Sequence, residues 1–172
     1  MTGGFHNLRC LAAALTLIAS AGQGAPVAPA KNAKAIAVIT GAAALRKLQD
    51  LDFAYVTVTT AGTAVVNPNT NLMSTTGGVL AVGGLPYAAL FEAVSPVKNV
   101  VHIRVPKAST TLIRTGGTET MTVDTFTISG SANRNVVAKQ PFTFKVGGTL
   151  HVAAGQREGT YTGTFDVDIQ YP

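Results

Sequence analysis

Apolar and polar residues alternate with little interruption through the end of the chain. Tyr161, Gly163, Phe165, Val167, Ile169 and Tyr171 fall on one parity, and Thr160, Thr162, Thr164, Asp166, Asp168 and Gln170 fall on the other. Successive side chains of a strand point to opposite faces, so this period of two predicts one half-buried strand over residues 159–172. Similar signals recur upstream. Residues 99–105 alternate Val101, Ile103 and Val105 against His102 and Arg104. Strands are also predicted over 51–59, around Phe53, Tyr55 and Val56, and over 63–66, before a turn at Asn67-Pro68-Asn69. Residues 77–84 form a short apolar run with glycines at both ends. Residues 87–94 read as strand or one helical turn. Further strands are expected over 110–114, 119–129, 142–146 and 149–152, the last two flanking Gly147-Gly148.

Many short strands with turn signals between them, and no strong 3.6-residue pattern, predict an all-β fold. The expected architecture is an immunoglobulin-like β-sandwich. Glycines and prolines sit mostly between the runs, where strand geometry tolerates them. The pairs Gly77-Gly78, Gly83-Gly84, Gly116-Gly117 and Gly147-Gly148 are expected to be hairpin turns or bulges, because no phosphate-loop lysine or helix follows them.

The N-terminal region sets a compartment. Residues 1–9 carry Arg9, residues 10–19 are an apolar core too short to span a bilayer, and Ala19-Ser20-Ala21 offers small residues of the Ala-x-Ala type. That order predicts a secretory signal peptide over 1–21, cut after Ala21 or, as second choice, after Gly24. Cys10 is the single cysteine and lies inside that segment, so the exported chain is expected to hold no disulfide and no thiolate metal site. Residues 22–45 are expected to be an N-terminal extension, and 46–172 the sandwich domain. Within the extension, 33–45 is alanine-rich but places Ile36, Val38 and Thr40 on one parity, and is read as extended.

Charge narrows the function classes. The chain has 13 Lys+Arg and 8 Asp+Glu, and loss of Arg9 leaves a mature balance of +4. The basic residues are scattered and no aromatic residues interleave with them, which argues against nucleic acid as a partner. No segment after the leader is long and apolar enough to span a membrane. His102 and His151 sit on polar faces and read as solvated or cross-strand-paired. Asp166 and Asp168 share one side of a strand, where paired carboxylates can do acid/base work but here read as a solvated outer face. Asp50 and Asp52 likewise share a face, without the further carboxylates that would support a calcium site. No serine lies in a Gly-x-Ser-x-Gly setting. The expectation is a protein that is not an enzyme and has no cofactor and no metal.

The terminal pattern resembles that of pilus subunits assembled by the chaperone–usher route: a glycine fourteen residues from the end, alternating apolar residues, and a penultimate tyrosine. Gly159, Tyr161, Phe165, Val167, Ile169 and Tyr171 carry the match. Over most of its length the chain also resembles a family of small exported proteobacterial β-sandwich proteins of unknown function. Leu51-Asp52-Phe53, the run from Met121 to Phe126, and Phe144 to Leu150 leading into residues 159–165 carry that resemblance.

What the pilin resemblance implies is donor-strand exchange. A sandwich lacking its last strand is filled first by a periplasmic chaperone and then by the N-terminal extension of the next subunit. Ile36, Val38 and Thr40 would be the donor face, and residues 159–171 the C-terminal assembly strand. The implied partners are further copies or related pilins, the chaperone and an outer-membrane usher, with a host or surface glycan as a further ligand. The implied location is the periplasm in transit and then the cell surface. The alternative is a self-contained exported sandwich, with 33–45 as its own first strand, binding a glycan or a cell-surface partner.

Overall fold

The computed structural model describes residues 43–171, and these are all-β. The signal-peptide expectation, and the candidate donor residues Ile36, Val38 and Thr40, lie outside the described residues. The elements are β1 (Ala44–Gln49), β2 (Tyr55–Val66), β3 (Met73–Gly83), β4 (Ala89–Val94), β5 (Asn99–Arg104), β6 (Thr110–Arg114), β7 (Thr120–Ile128), β8 (Asn133–Val136), β9 (Pro141–Val152), β10 (Tyr161–Thr162) and β11 (Asp168–Gln170). Every pairing is antiparallel. An eight-stranded sheet runs β1-β4-β9-β7-β6-β10, with the β2–β3 hairpin joined through β2 to β9, and a three-stranded sheet runs β11-β5-β8. This is the sandwich-like, all-β class that the alternation predicts.

The long strand β9 organises the larger sheet. Its first half pairs with β4 and its second half with β2, while β7 runs along the opposite edge. β4 and β2 therefore meet end to end at Gly147. A Cβ on Gly147 would lie 2.1 Å from the Val66 carbonyl oxygen and 2.8 Å from the Pro68 ring, so only glycine fits where the end of β2 crosses. The Gly147-Gly148 pair is consequently not a turn. It sits inside one continuous strand, and residues 142–146 and 149–152 are its two halves. The bulge lies opposite, on β7, where the register slips between Asp124 and Thr127. Likewise residues 51–59 and 63–66 belong largely to one strand, β2, whose register against β3 slips between Val58 and Gly62. Residues 87–94 resolve as strand, not helical turn.

The core is built where inner faces meet. Phe144 and Val146 of β9, Ala89, Phe91 and Ala93 of β4, and Val123 and Phe126 of β7 are buried, and Ile103 of β5 packs into the same cluster. Phe91 and Phe144 stack with centroids 5.4 Å apart. Arg134 of β8 ties the smaller sheet to the larger. Its Nη1 donates to the Thr143 carbonyl at 2.8 Å, and its guanidinium lies 5.8 Å from the centre of the Phe144 ring. The sequence pattern offered no sign of β8, because Asn133-Arg134-Asn135-Val136 is polar, short and has one buried side chain.

Candidate functional site

The predicted terminal strand divides in two, which corrects the reading of residues 159–172 as one strand. β10 pairs with β6, Tyr161 opposite Arg114 and Thr162 opposite Ile113. β11 pairs with β5 in the other sheet, Asp168 opposite Arg104 and Gln170 opposite His102. Residues 163–167 cross between the layers without a ladder partner. Alternation of side chains reports only which face is buried, not which strand supplies the hydrogen bonds, so the switch of sheet left no mark on the pattern. The face assignment itself holds. Tyr161, Phe165, Val167, Ile169 and Tyr171 are half-buried, while Asp166, Asp168 and Gln170 are exposed. Phe165 carries the crossing into the core, its ring centre 4.8 Å from that of Phe126 and 6.4 Å from that of Phe91. Gly163 runs hard against β6, where a Cβ would meet the Thr111 carbonyl oxygen at 2.6 Å.

The entry to this crossing is clamped. Arg114 Nε donates to Glu119 Oε2 at 2.7 Å, and Arg157 reaches Glu119 Oε1 at 3.2 Å. Thr115 N–H donates to the Thr160 carbonyl, and the Tyr161 hydroxyl donates to the Arg157 carbonyl at 2.6 Å. The Arg114 hydrogen bond is the largest cause holding the Glu119 carboxyl at about 2, well below its ordinary 4.5. A depressed folded value contributes stability that is whole above the unfolded pKa and is lost as pH falls through the folded one. The melting temperature is therefore expected to drop between roughly pH 4.5 and 2. Glu119→Gln should flatten the drop in that window when melting is followed by circular dichroism across pH. An unchanged acid limb would remove Glu119 from the clamp.

The far end of the crossing borders an open seam. β11 is terminal in its sheet, with β5 on one side, and β1 is terminal in the larger sheet, with β4 on one side. Tyr171 joins the two lips: its hydroxyl lies 3.4 Å from the carbonyl oxygen of Val94, which pairs with Ala44 at the start of β1. Burial pushes the Tyr171 phenol up from its ordinary pKa. The interior along β1 is incompletely covered. Leu45 lies opposite Ala93, and Lys47 opposite Phe91, both inward-facing positions of β4. Directly opposed residues share a sheet face, yet Leu45 is 37% exposed. Among the described residues, β1 and β11 thus each have one edge without a strand partner, near each other, beside apolar side chains that are not fully covered.

A second feature lies on the outer face of the larger sheet. Register places Thr76, Thr63, His151, Thr122 and Thr111 in one row across β3, β2, β9, β7 and β6. At about 4.8 Å per strand the row is roughly 19 Å long. Thr63 and Thr76 hydroxyls are 2.7 Å apart, and His151 Nε2 is 2.9 Å from Asp124 Oδ1. The His151 hydrogen bond, then that from Thr125, keeps the Asp124 carboxyl below its ordinary value. The two histidines are cross-strand-paired as expected, His102 Nδ1 lying 2.6 Å from Asn133 Oδ1. Asp50 pairs with Lys47, and Asp52 accepts the Ala54 N–H. Among the described residues no three of His, Cys, Asp and Glu come together as metal ligands. Among them too, no helix is long and apolar enough to cross a membrane.

No curated protein and no solved structure matches the chain. One family model does, over residues 44–171, from the first residue of β1 to the tyrosine that follows β11. The chain belongs to the family described as a domain of unknown function, DUF4402.

Proposed function

We propose that this chain is a structural subunit of a bacterial surface fibre that polymerises by donor-strand exchange, the N-terminal extension of one copy filling the seam between β1 and β11 of the next. The observation that carries the reading is that, among the described residues, β1 and β11 each have one edge without a strand partner. They lie beside an inward-facing Leu45 that stays 37% exposed. A strand laid in this seam gains main-chain hydrogen bonds from one or both edges and covers apolar side chains with its own. The arrangement is heterologous: extension and seam are different parts of the chain, so assembly grows head to tail and does not close. An uncovered seam of this kind also accounts for a chaperone as the first partner, because unpaired edges beside apolar surface invite wrong association. Export through the inner membrane, by the leader at 1–21, belongs to the same reading.

Deletion of residues 22–40 tests it. The deleted chain is expected to be less stable than the full one and to enter no polymer when a chaperone and an usher are present, while the full chain enters one. Unchanged melting and a full chain that never polymerises would sink the reading. That outcome would favour a self-contained sandwich whose first strand is β1 and not 33–45, binding a glycan or surface partner, which the hydroxyl-rich row from Thr76 to Thr111 supports.

A further inference from the structure

The hydroxyl row on the outer face of the larger sheet borders an open cleft. Thr63, Thr120, Thr122, His151 and Gln156 line a space of about 510 Å³, within the size range of small-ligand sites. No Asp, Glu, Lys or Arg lines it. Two of its polar groups are held from behind. Gln156 Nε2 donates to the Thr120 carbonyl at 3.2 Å and to the Tyr161 hydroxyl at 2.7 Å, which engages both amide hydrogens. Its Oε1 is left without a partner among the described residues and is not sealed from solvent. His151 is held by Asp124. A carboxylate only accepts, so Nε2, 2.9 Å from Asp124 Oδ1, carries the proton, and Nδ1 of the neutral ring is left as an acceptor. Asp124 is itself fixed by the Thr125 hydroxyl at 2.9 Å. Thr125 makes that bond from a φ of 47°, a left-handed conformation rare for a β-branched residue. Strain of this kind persists only where the surroundings impose it, and it gathers at ligand sites.

We infer that this cleft binds a neutral carbohydrate, whose hydroxyls donate to Gln156 Oε1 and His151 Nδ1 and exchange hydrogen bonds with the hydroxyls of Thr120 and Thr122. The lining selects this ligand. Its two fixed groups are acceptors, which repel an anion and call for a ligand rich in O–H donors. A cation meets no free carboxylate, because Asp124 is engaged by His151 and Thr125, and it approaches a chain of net charge +5. An apolar ligand would cover the two acceptors and leave them without donors. The Thr120 and Thr122 hydroxyls rotate, so each gives or accepts as a sugar hydroxyl requires. Ala61 and Ala153 border the cleft and offer apolar surface to the C–H face of a sugar ring. The ligand class rests on the glycan-binding reading above. The cleft shares no residue with the β1–β11 seam, so it serves a fibre subunit as well as a self-contained sandwich.

The test titrates the purified chain with neutral trisaccharides built from glucose, mannose, galactose or N-acetylglucosamine, each to about 10 mM, and follows the assigned backbone amide resonances. At least one trisaccharide is expected to bind with a millimolar or lower dissociation constant and to shift the amides of Thr122 and His151. Thr120→Val with Thr122→Val removes both hydroxyls at nearly constant volume and should raise that constant at least roughly fivefold. Thr57→Val, at an exposed threonine of β2 outside the cleft, should leave it unchanged. Equal melting temperatures check the variants, and the shift map of the unsubstituted chain stands should either fail to fold. No response to any of the trisaccharides overturns the inference together with the glycan-binding reading. Binding that maps to another face, or that the double substitution leaves unchanged, overturns the assignment to this cleft while the glycan-binding reading stands.

Discussion

Phe165→Ala is expected to cost about 2–4 kcal/mol of stability and to abolish assembly. The estimate follows from large-to-small substitution of an aromatic side chain, set below the value for a fully buried ring. Phe165 is half-buried, but it is the side chain that pins the crossing between the two sheets. Its ring touches Phe126 of β7 and Phe91 of β4, with centroid separations of 4.8 and 6.4 Å. Each such pair adds about 0.5–1.5 kcal/mol beyond the area it covers. No ladder partner holds residues 163–167, so with this ring lost β11 keeps only its three-residue pairing with β5, the packing of Val167 and Ile169 on the core, and the Tyr171 contact with Val94. The lip of the seam formed by β11 should then fray, and any strand docked on it should detach. Asp166→Ala, one residue along on the exposed face, should change stability by no more than about 0.5 kcal/mol. Thermal melting of the two variants checks the contrast. Equal effects would mean that the crossing is not anchored through its apolar side.

Filling the seam in trans is expected to have the second large effect. A synthetic peptide of residues 31–43, added to the chain lacking 22–40, should raise its melting temperature. A ligand that binds only the folded state stabilises by about 2.7 kcal/mol at one hundred times its dissociation constant. For a domain of this size that corresponds to roughly 10 °C. Ile36, Val38 and Thr40 share one face of the peptide if it is extended, so Ile36→Asp with Val38→Asp should abolish the shift. A shift that survives both substitutions would place the recognition elsewhere in the peptide.

Much of this fold is legible in the alternation of the sequence. Period-two alternation located β5, β6 and β7 closely, and it identified the buried side of the last segment except at Gly163, which is exposed. It failed where the fold depends on partners and not on faces. Gly147 and Gly148 look like punctuation in the sequence, yet they lie inside β9 because the end of β2 passes within contact of them. β8 was invisible because its stability comes from Arg134 reaching the Ser131 and Thr143 carbonyls, not from a pattern of apolar residues. The division of the last strand between two sheets was hidden for a related reason. Phe165, Val167 and Ile169 keep the same inward face throughout, while the hydrogen-bonding neighbour changes from β6 to β5. The seam itself is a property of topology. The free edges that β1 and β11 show among the described residues emerge only when strand order is known, although Tyr171 marked one end of the seam in the sequence.

Hydrogen exchange measured on the chain lacking 22–40, with and without the peptide of residues 31–43, tests the central claim most directly. The account predicts that added peptide slows exchange at the backbone amides of both β1, Ala44–Gln49, and β11, Asp168–Gln170, while the β3 edge is unaffected. Protection confined to some other edge, or none at either strand with the peptide in excess, would contradict it.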